Sequence, residues 1–169
     1  MKTGYTLTVN RKLVIPLIVF FATSIGLIII DMTSKIFTDG VNTSVIPKVI
    51  SFESVYNKGV AFSFLSGAGV WLIVLTSILT VAAITAWWFM GRKTVLSNVG
   101  FAFFIAGAIG NLYDRIAYGY VRDFIRFDFW PNFAIFNFAD ICLNVGTVLL
   151  VIYFVFFAHK KEKAPANAA

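Results

Sequence analysis

The chemistry open to this chain is carboxylate chemistry. Its only histidine is His159 and its only cysteine is Cys142. No Cys/His cluster can therefore hold zinc, and no intrachain disulfide can form. Two carboxylates held close together cannot both ionise easily. One then keeps a proton and serves as an acid, while the other is a base. Asp123 and Asp140 are the candidates for such a pair. Residues 124–130 and 133–136 read as strand and strand around Pro131-Asn132, and that register sets Asp123 opposite Asp140. Directly opposed strand residues lie about 4.5–5.5 Å apart between Cα atoms. Pro-Asn is a poor two-residue turn, and a helix starting near Asp140 limits the pairing. The register supports proximity, not a distance.

Each remaining polar residue has a plainer reading to set beside a chemical one. Asn137 stands where an N-cap would stand, with Asp140 three positions on, at N3. Asp140 as a partner of the helix dipole and Asp140 as an acid–base group are both compatible with that position. Asp31 and Lys35 are four apart, the spacing of a helical ion pair, which favours a structural or substrate-orienting role over a chemical one. Gly107, Asn111, Asp114 and Arg115 gather at one end of an apolar stretch. Gly107 would allow close helix approach, and the adjacent Asp114 and Arg115 side chains would diverge. Asn57, Asn111 and Asn137 could each orient a peptide backbone or satisfy a loop carbonyl. Asp39, Glu53 and Asp128 read as solvated surface, and Cys142, Phe154, Phe156 and Phe157 as packing or lipid contact.

The elements that must position these groups are membrane spans. Of the 169 residues, 59% are hydrophobic and 19 are Phe. A globular chain of one domain is about 45–50% apolar, and this one has too little interior to hide the excess. Four runs meet the ~17–25 residues needed to cross a hydrocarbon core: residues 13–30, 70–90, 95–112 and 139–158. A single integral-membrane domain over 1–169 follows. The first run is not read as a cleaved leader, being longer than the ~7–15 residues of a signal-peptide core and lacking an Ala-x-Ala site. Eight Lys and Arg (Lys2, Arg11, Lys12, Arg92, Lys93, Lys160, Lys161, Lys163) face one side with only Glu162. The other side carries six, with the remaining seven acids. By the positive-inside rule both termini are cytoplasmic, and loops 31–69 and 113–138 lie outside. The net charge of +6 is thus a topology signal, not a nucleic-acid footprint. Residues 45–56 read as short strands with Pro47 at an edge or turn. Residues 59–65 are too short to span and would lie at the interface or against the spans.

Five segments in order resemble the lipoprotein signal peptidases (signal peptidase II). They are Asp31-Met32-Thr33-Ser34-Lys35, Asn57 to Ser63, Gly107 to Arg115, Val121-Arg122-Asp123-Phe124 and Phe136-Asn137-Phe138-Ala139-Asp140. Met32 and Val60 depart from the usual family residues, at positions that are not catalytic in the family. The resemblance implies four membrane helices with a small extracytoplasmic β-sheet and an interfacial helix, in the bacterial inner membrane, with the active site near the outer face. It implies an aspartic endopeptidase that cuts prolipoproteins just before a diacylglyceryl-modified cysteine, and a target of globomycin. Asp123 and Asp140 carry over as the catalytic pair. Asp31, Lys35, Asn57, Gly107, Asn111, Asp114, Arg115 and Asn137 carry over as supporting or substrate-contacting residues. No cofactor, metal or nucleic acid is called for. The rival readings are an ion-coupled transporter or channel subunit using the outer acids, a Ser/Lys peptidase built on Ser34 or Ser63 with Lys35, and a scaffold without chemistry.

Overall fold

The four apolar runs form four long helices in a computed structural model that describes residues 11–59, 68–90 and 94–158. They are α1 (Arg11–Thr38), α2 (Ala68–Phe89), α3 (Val95–Tyr118) and α4 (Phe138–Phe156). All four are long and apolar enough to cross a bilayer. Two run further than hydropathy alone predicts. α1 continues two turns past Ile30 and carries Asp31 and Lys35, and α3 continues past Leu112 and carries Asp114 and Arg115. Backbone pairing inside a helix costs nothing at the membrane boundary, whereas leaving it there does. The helices therefore continue through their polar ends.

α3 is the central helix. In its most apolar stretch 61% of residues are buried, against 11–22% in the other three, and it packs against α1, α2 and α4. Small residues make this possible. A Cβ on Gly107 would run into the Ala139 carbonyl and Leu143 of α4, and one on Gly146 into the Phe104 backbone of α3. The apolar core between the helices holds Phe20, Trp87, Phe101, Ala102 and Ile105, with Phe20 stacked on Trp87 at 3.7 Å between ring centroids. A second cluster joins Leu27, Ala106 and Cys142. Phe154, Phe156 and Phe157 are exposed, as lipid-facing rings are.

Three strands lie between the helices: β1 (Asn42–Ile46), β2 (Ile50–Asn57) and β3 (Val121–Phe127). They form one antiparallel sheet in the order β1-β2-β3, with Pro47 in the turn between β1 and β2. The predicted hairpin around Pro131-Asn132 does not form. β3 takes β2 as its ladder partner, with Val55 opposite Asp123 and Asn57 opposite Val121. Residues 133–136 contribute one isolated bridge, Ile125 to Phe136, two positions from the predicted register. The chain between is used up by two successive turns, Trp130 N–H to Phe127 O and Phe133 N–H to Trp130 O. The turns leave only Phe136 beside β3, on the edge opposite β2. The predicted interfacial segment at 59–65 falls mostly outside the described residues, as do Arg92, Lys93 and the basic tail that set the predicted orientation.

Candidate active site

Each functional side chain reaches the site for a local reason. Asp31 and Lys35 project from the last turns of α1, and their i,i+4 spacing lets Lys35 Nζ meet Asp31 Oδ2 at 2.9 Å. Asn111, Asp114 and Arg115 stand on the last turns of α3, which ends on Gly119 in the left-handed region (φ 79°), its N–H donating to Arg115 O. Asp123 enters from β3. Strand alternation puts Asn57, at the end of β2, diagonally across from it on the same face. Asn137 caps α4, and Asp140 completes a capping box. Asn137 Oδ1 accepts the Asp140 N–H at 3.0 Å, and Asp140 Oδ2 accepts the Asn137 N–H at 3.1 Å. The sequence reading of that N-terminus holds.

The two carboxylates are joined through side-chain amides. Asn137 Nδ2 donates to Asp123 Oδ1 at 2.7 Å and to Asn111 Oδ1 at 3.0 Å. Asn111 Nδ2 donates to Asp140 Oδ1 at 2.7 Å. Asn57 Nδ2 donates to Asp123 Oδ2 at 2.9 Å. Each carboxylate thus accepts two N–H groups: Asp123 from two side-chain amides, Asp140 from one amide and one backbone N–H. Asp123 is only 3% exposed. Burial pushes its carboxyl up to about 6, against the pull of the Asn57 amide, and the charge of Asp140 adds to the rise while Asn137 opposes it. A carboxyl that holds its proton to that pH is poised to donate near neutrality.

Behind the pair lies a buried charge network. Lys35 is enclosed by Asp31, Asp114 Oδ2 at 3.5 Å and Asn111 Oδ1 at 3.3 Å. Asp114 also takes Arg122, with Nη2 at 2.7 Å from Oδ1 and the Arg122 backbone N–H at 3.0 Å from Oδ2. Asp31 Oδ1 accepts the N–H of Ala139 in the first turn of α4 at 2.9 Å. The network therefore ties α1, α3, β3 and the start of α4. Gly110 makes room for it, since a Cβ there would press on the Asp31 carboxylate. Gly107 serves the same end by letting α4 come close. Arg122 is the residue that sequence reasoning left out. Its only signal was adjacency to Asp123, and strand alternation sends it the other way, onto Asp114 and over the Tyr118 ring at 4.6 Å.

Asp39, Glu53 and Asp128 stay apart from this cluster. Asp39 accepts from Tyr56 at 2.7 Å, Asp128 from Ser51 at 2.7 Å, and Glu53 pairs with Arg126 on the sheet. Ser34 Oγ donates to its own helix at Asp31 O, 2.8 Å away, while Lys35 turns to Asp31, Asn111 and Asp114. A Ser34–Lys35 pair is thus not assembled, and Ser63 lies outside the described residues. Among the described residues no three His, Cys, Asp or Glu side chains converge as metal ligands. Two clefts meet at Arg115. One of ≈ 230 Å³ runs between α2 and α4 over α3, bounded by Thr76, Leu79, Phe104, Asn111 and Asp140. The other, of ≈ 210 Å³, lies toward the sheet by Asn57, Lys58, Leu72 and Tyr120.

A family model described as signal peptidase (SPase) II matches residues 23–156, which include every residue of this cluster. The chain belongs to the signal peptidase II family. Its relatives include the lipoprotein signal peptidases of Pseudomonas fluorescens (strain Pf0-1), 40% identical over 76% of this chain and 82% of that one, and of Enterococcus faecalis (strain ATCC 700802 / V583), 38% identical over 82% and 89%. Two solved structures of bacterial membrane enzymes share its fold. One has a TM-score of 0.75 and 28% identity, covering 82% of this chain and 93% of its own. The other has a TM-score of 0.74 and 29% identity, covering 86% and 93%. A signal peptidase II is a peptidase of prolipoprotein signal peptides, and this one is a multi-pass bacterial membrane protein. That sets the transporter and scaffold readings aside.

Proposed function

We propose that Asp123 and Asp140 form the catalytic dyad of an aspartic endopeptidase acting on diacylglyceryl-modified prolipoproteins. The observation that carries this reading is the amide bridge. Two carboxylates from β3 and α4 are joined through Asn137 and Asn111 and bound by two N–H groups each. One Asp, ionised, takes a proton from a water that attacks the scissile carbonyl carbon. The other, protonated, gives its proton to the carbonyl oxygen. As the tetrahedral intermediate collapses, the C–N bond breaks and the leaving amine takes up a proton from the dyad.

Location supports the lipidated substrate. The dyad stands at the polar ends of α3 and α4, and the ≈ 230 Å³ cleft beside Asp140 lies between two helices whose outer surfaces face lipid. A diacylglyceryl group can stay in the bilayer while the peptide reaches the carboxylates and water comes from the sheet side. On this reading the cut falls just before the lipidated cysteine, both termini are cytoplasmic, and the site faces outward. A globomycin-type cyclic peptide would occupy the same cleft. The test is incubation of the purified protein with a prolipoprotein, with and without its diacylglyceryl group, followed by mass spectrometry. The expected result is one new N-terminus at the lipidated cysteine. Equal cleavage of the unmodified precursor would overturn the lipid requirement.

A further inference from the structure

Two amide side chains stand between the carboxylates, and each could be turned over, exchanging its donor and acceptor ends. For Asn137 the helix decides. Its Oδ1 accepts the Asp140 backbone N–H, a group that can never accept. Asn111 is held by side chains alone among the described residues. Its Oδ1 meets Asn137 Nδ2 at 3.0 Å and Lys35 Nζ at 3.3 Å, leaving Nδ2 to face Asp140. The terminal torsion of an Asn is broad and soft, so its setting depends on its partners. An ammonium has three donors and no acceptor, and its bond to an amide oxygen is charge-assisted.

We propose that Lys35 is a positioning residue of the peptidase: its buried ammonium, beside the helix-fixed Asn137 Nδ2, locks the Asn111 amide so that an N–H always faces Asp140. The inference rests on the dyad reading above. Lys35 is itself fully enclosed, with no exposed surface. Asp31 holds it on α1 and Asp114 on α3, and Arg122 from β3 balances Asp114. Asp31 is in turn fixed by the Ala139 N–H of α4. The charged groups around Asn111 are thus Lys35, Asp31 and Asp114 on its buried side, Asp140 and Arg115 along the cleft, and the buried Asp123 beyond Asn137. Lys35 acts on the reaction through Asn111.

The experiment compares the intact protein with Lys35→Met, measuring kcat, KM and the pH profile per folded molecule. Removing the lock should lower kcat about 10–100-fold, as loss of an orienting partner behind a reactive group does, with KM little changed. The basic limb of the profile should move to higher pH, because the carboxylate form of the dyad loses a donor and a nearby cation. A purely structural Lys35 would lower yield and unfolding temperature but leave kcat and the pH profile of the folded fraction as they were. Should Lys35→Met not fold, Lys35→Met/Asp31→Asn removes one charge of each sign. It keeps the Asp114–Arg122 pair and an acceptor for the Ala139 N–H. Unaltered kcat and pH profile in either folded variant overturn the proposal. Asp140→Asn separates the two readings. If it keeps turnover, the dyad itself is wrong. If it is inactive while Lys35→Met is unaltered, only the role of Lys35 falls.

Discussion

Seven acids lie on the segments between α1 and α2 and between α3 and α4 and on the helix ends next to them, and they divide into two groups. Asp31, Asp114, Asp123 and Asp140 stand where α1, α3, β3 and α4 converge. The first three are at most 3% exposed. Asp31, Asp123 and Asp140 each accept from two other residues, and Asp114 accepts from the backbone and side chain of Arg122 with Lys35 Nζ at 3.5 Å. Asp39, Glu53 and Asp128 belong to the solvent side of the sheet, with one or two partners each. The residue types are the same. What differs is the dielectric around them and the rigidity of what holds them. In water a carboxylate is cheap to keep and does little, and a pair with a neighbouring Arg contributes little net stability. Enclosed, it must be matched by donors, and a close second carboxylate then changes its chemistry.

Substitutions can break that division, and the largest effect is expected at the dyad. Asp123→Asn and Asp140→Asn should each lower kcat by about 10³-fold or more, since on the proposed mechanism each removes one half of the acid–base exchange. The double variant should be no worse than either single one, because the two act as a unit. Near-normal turnover in both single variants would show that burial marks structure here and not catalysis. Asp114→Asn comes next. It weakens the carboxylate shared by Lys35 and Arg122, and breaking a buried pair costs about 3–5 kcal/mol. A clear drop in unfolding temperature in detergent is expected. An unshifted transition would mean that the network adds nothing to stability.

The pH profile sharpens the comparison further. Because burial raises Asp123 to about 6, the proposed dyad would hold a shared proton below that pH and lose it above. kcat/KM should therefore fall along a basic limb with an apparent pKa near 6, a property of the pair and not of one residue. A flat profile from pH 5 to 8 would remove the raised carboxyl from the mechanism. The smallest effect belongs to the solvent side. Asp128→Asn and Glu53→Gln should leave cleavage and unfolding close to those of the unaltered protein. A large loss in either would mean that the sheet surface takes part in substrate handling.

Much of this site was legible in the residues themselves. The Asn137/Asp140 cap was readable because a helix N-terminus demands an acceptor at N-cap and favours one at N3. The Asp31–Lys35 pair was readable because helical spacing alone brings them together. Gly107 was readable as a contact glycine, and the solvent-side acids as such. The hairpin was misread, since it rested on a turn type that Pro131-Asn132 cannot supply, and the ladder partner of β3 is β2, more than 60 residues away in sequence. The spans were placed within a few residues at their other ends, and too short at the C-terminal ends of α1 and α3. Hydropathy stops at the first charge, whereas a helix stops where its backbone can be capped, at Gly119 for α3.

Local interactions have a short reach, and they are what the sequence by itself determined: four spans, a capped fourth helix, an ion pair within one turn, and acids gathered on one side. Which acids become chemical depends on contacts between distant segments. Asn57 reaches Asp123 across 66 positions, Lys35 reaches Asn111 across 76, and Asp31 reaches the Ala139 N–H across 108. No periodicity or spacing encodes those pairings. They follow from α3 packing against both α1 and α4, with glycines at Gly107, Gly110 and Gly146 allowing backbones and carboxylates to come within contact. Only that packing removes the water from around Asp123 and turns an ordinary carboxyl into one that keeps its proton up to about pH 6.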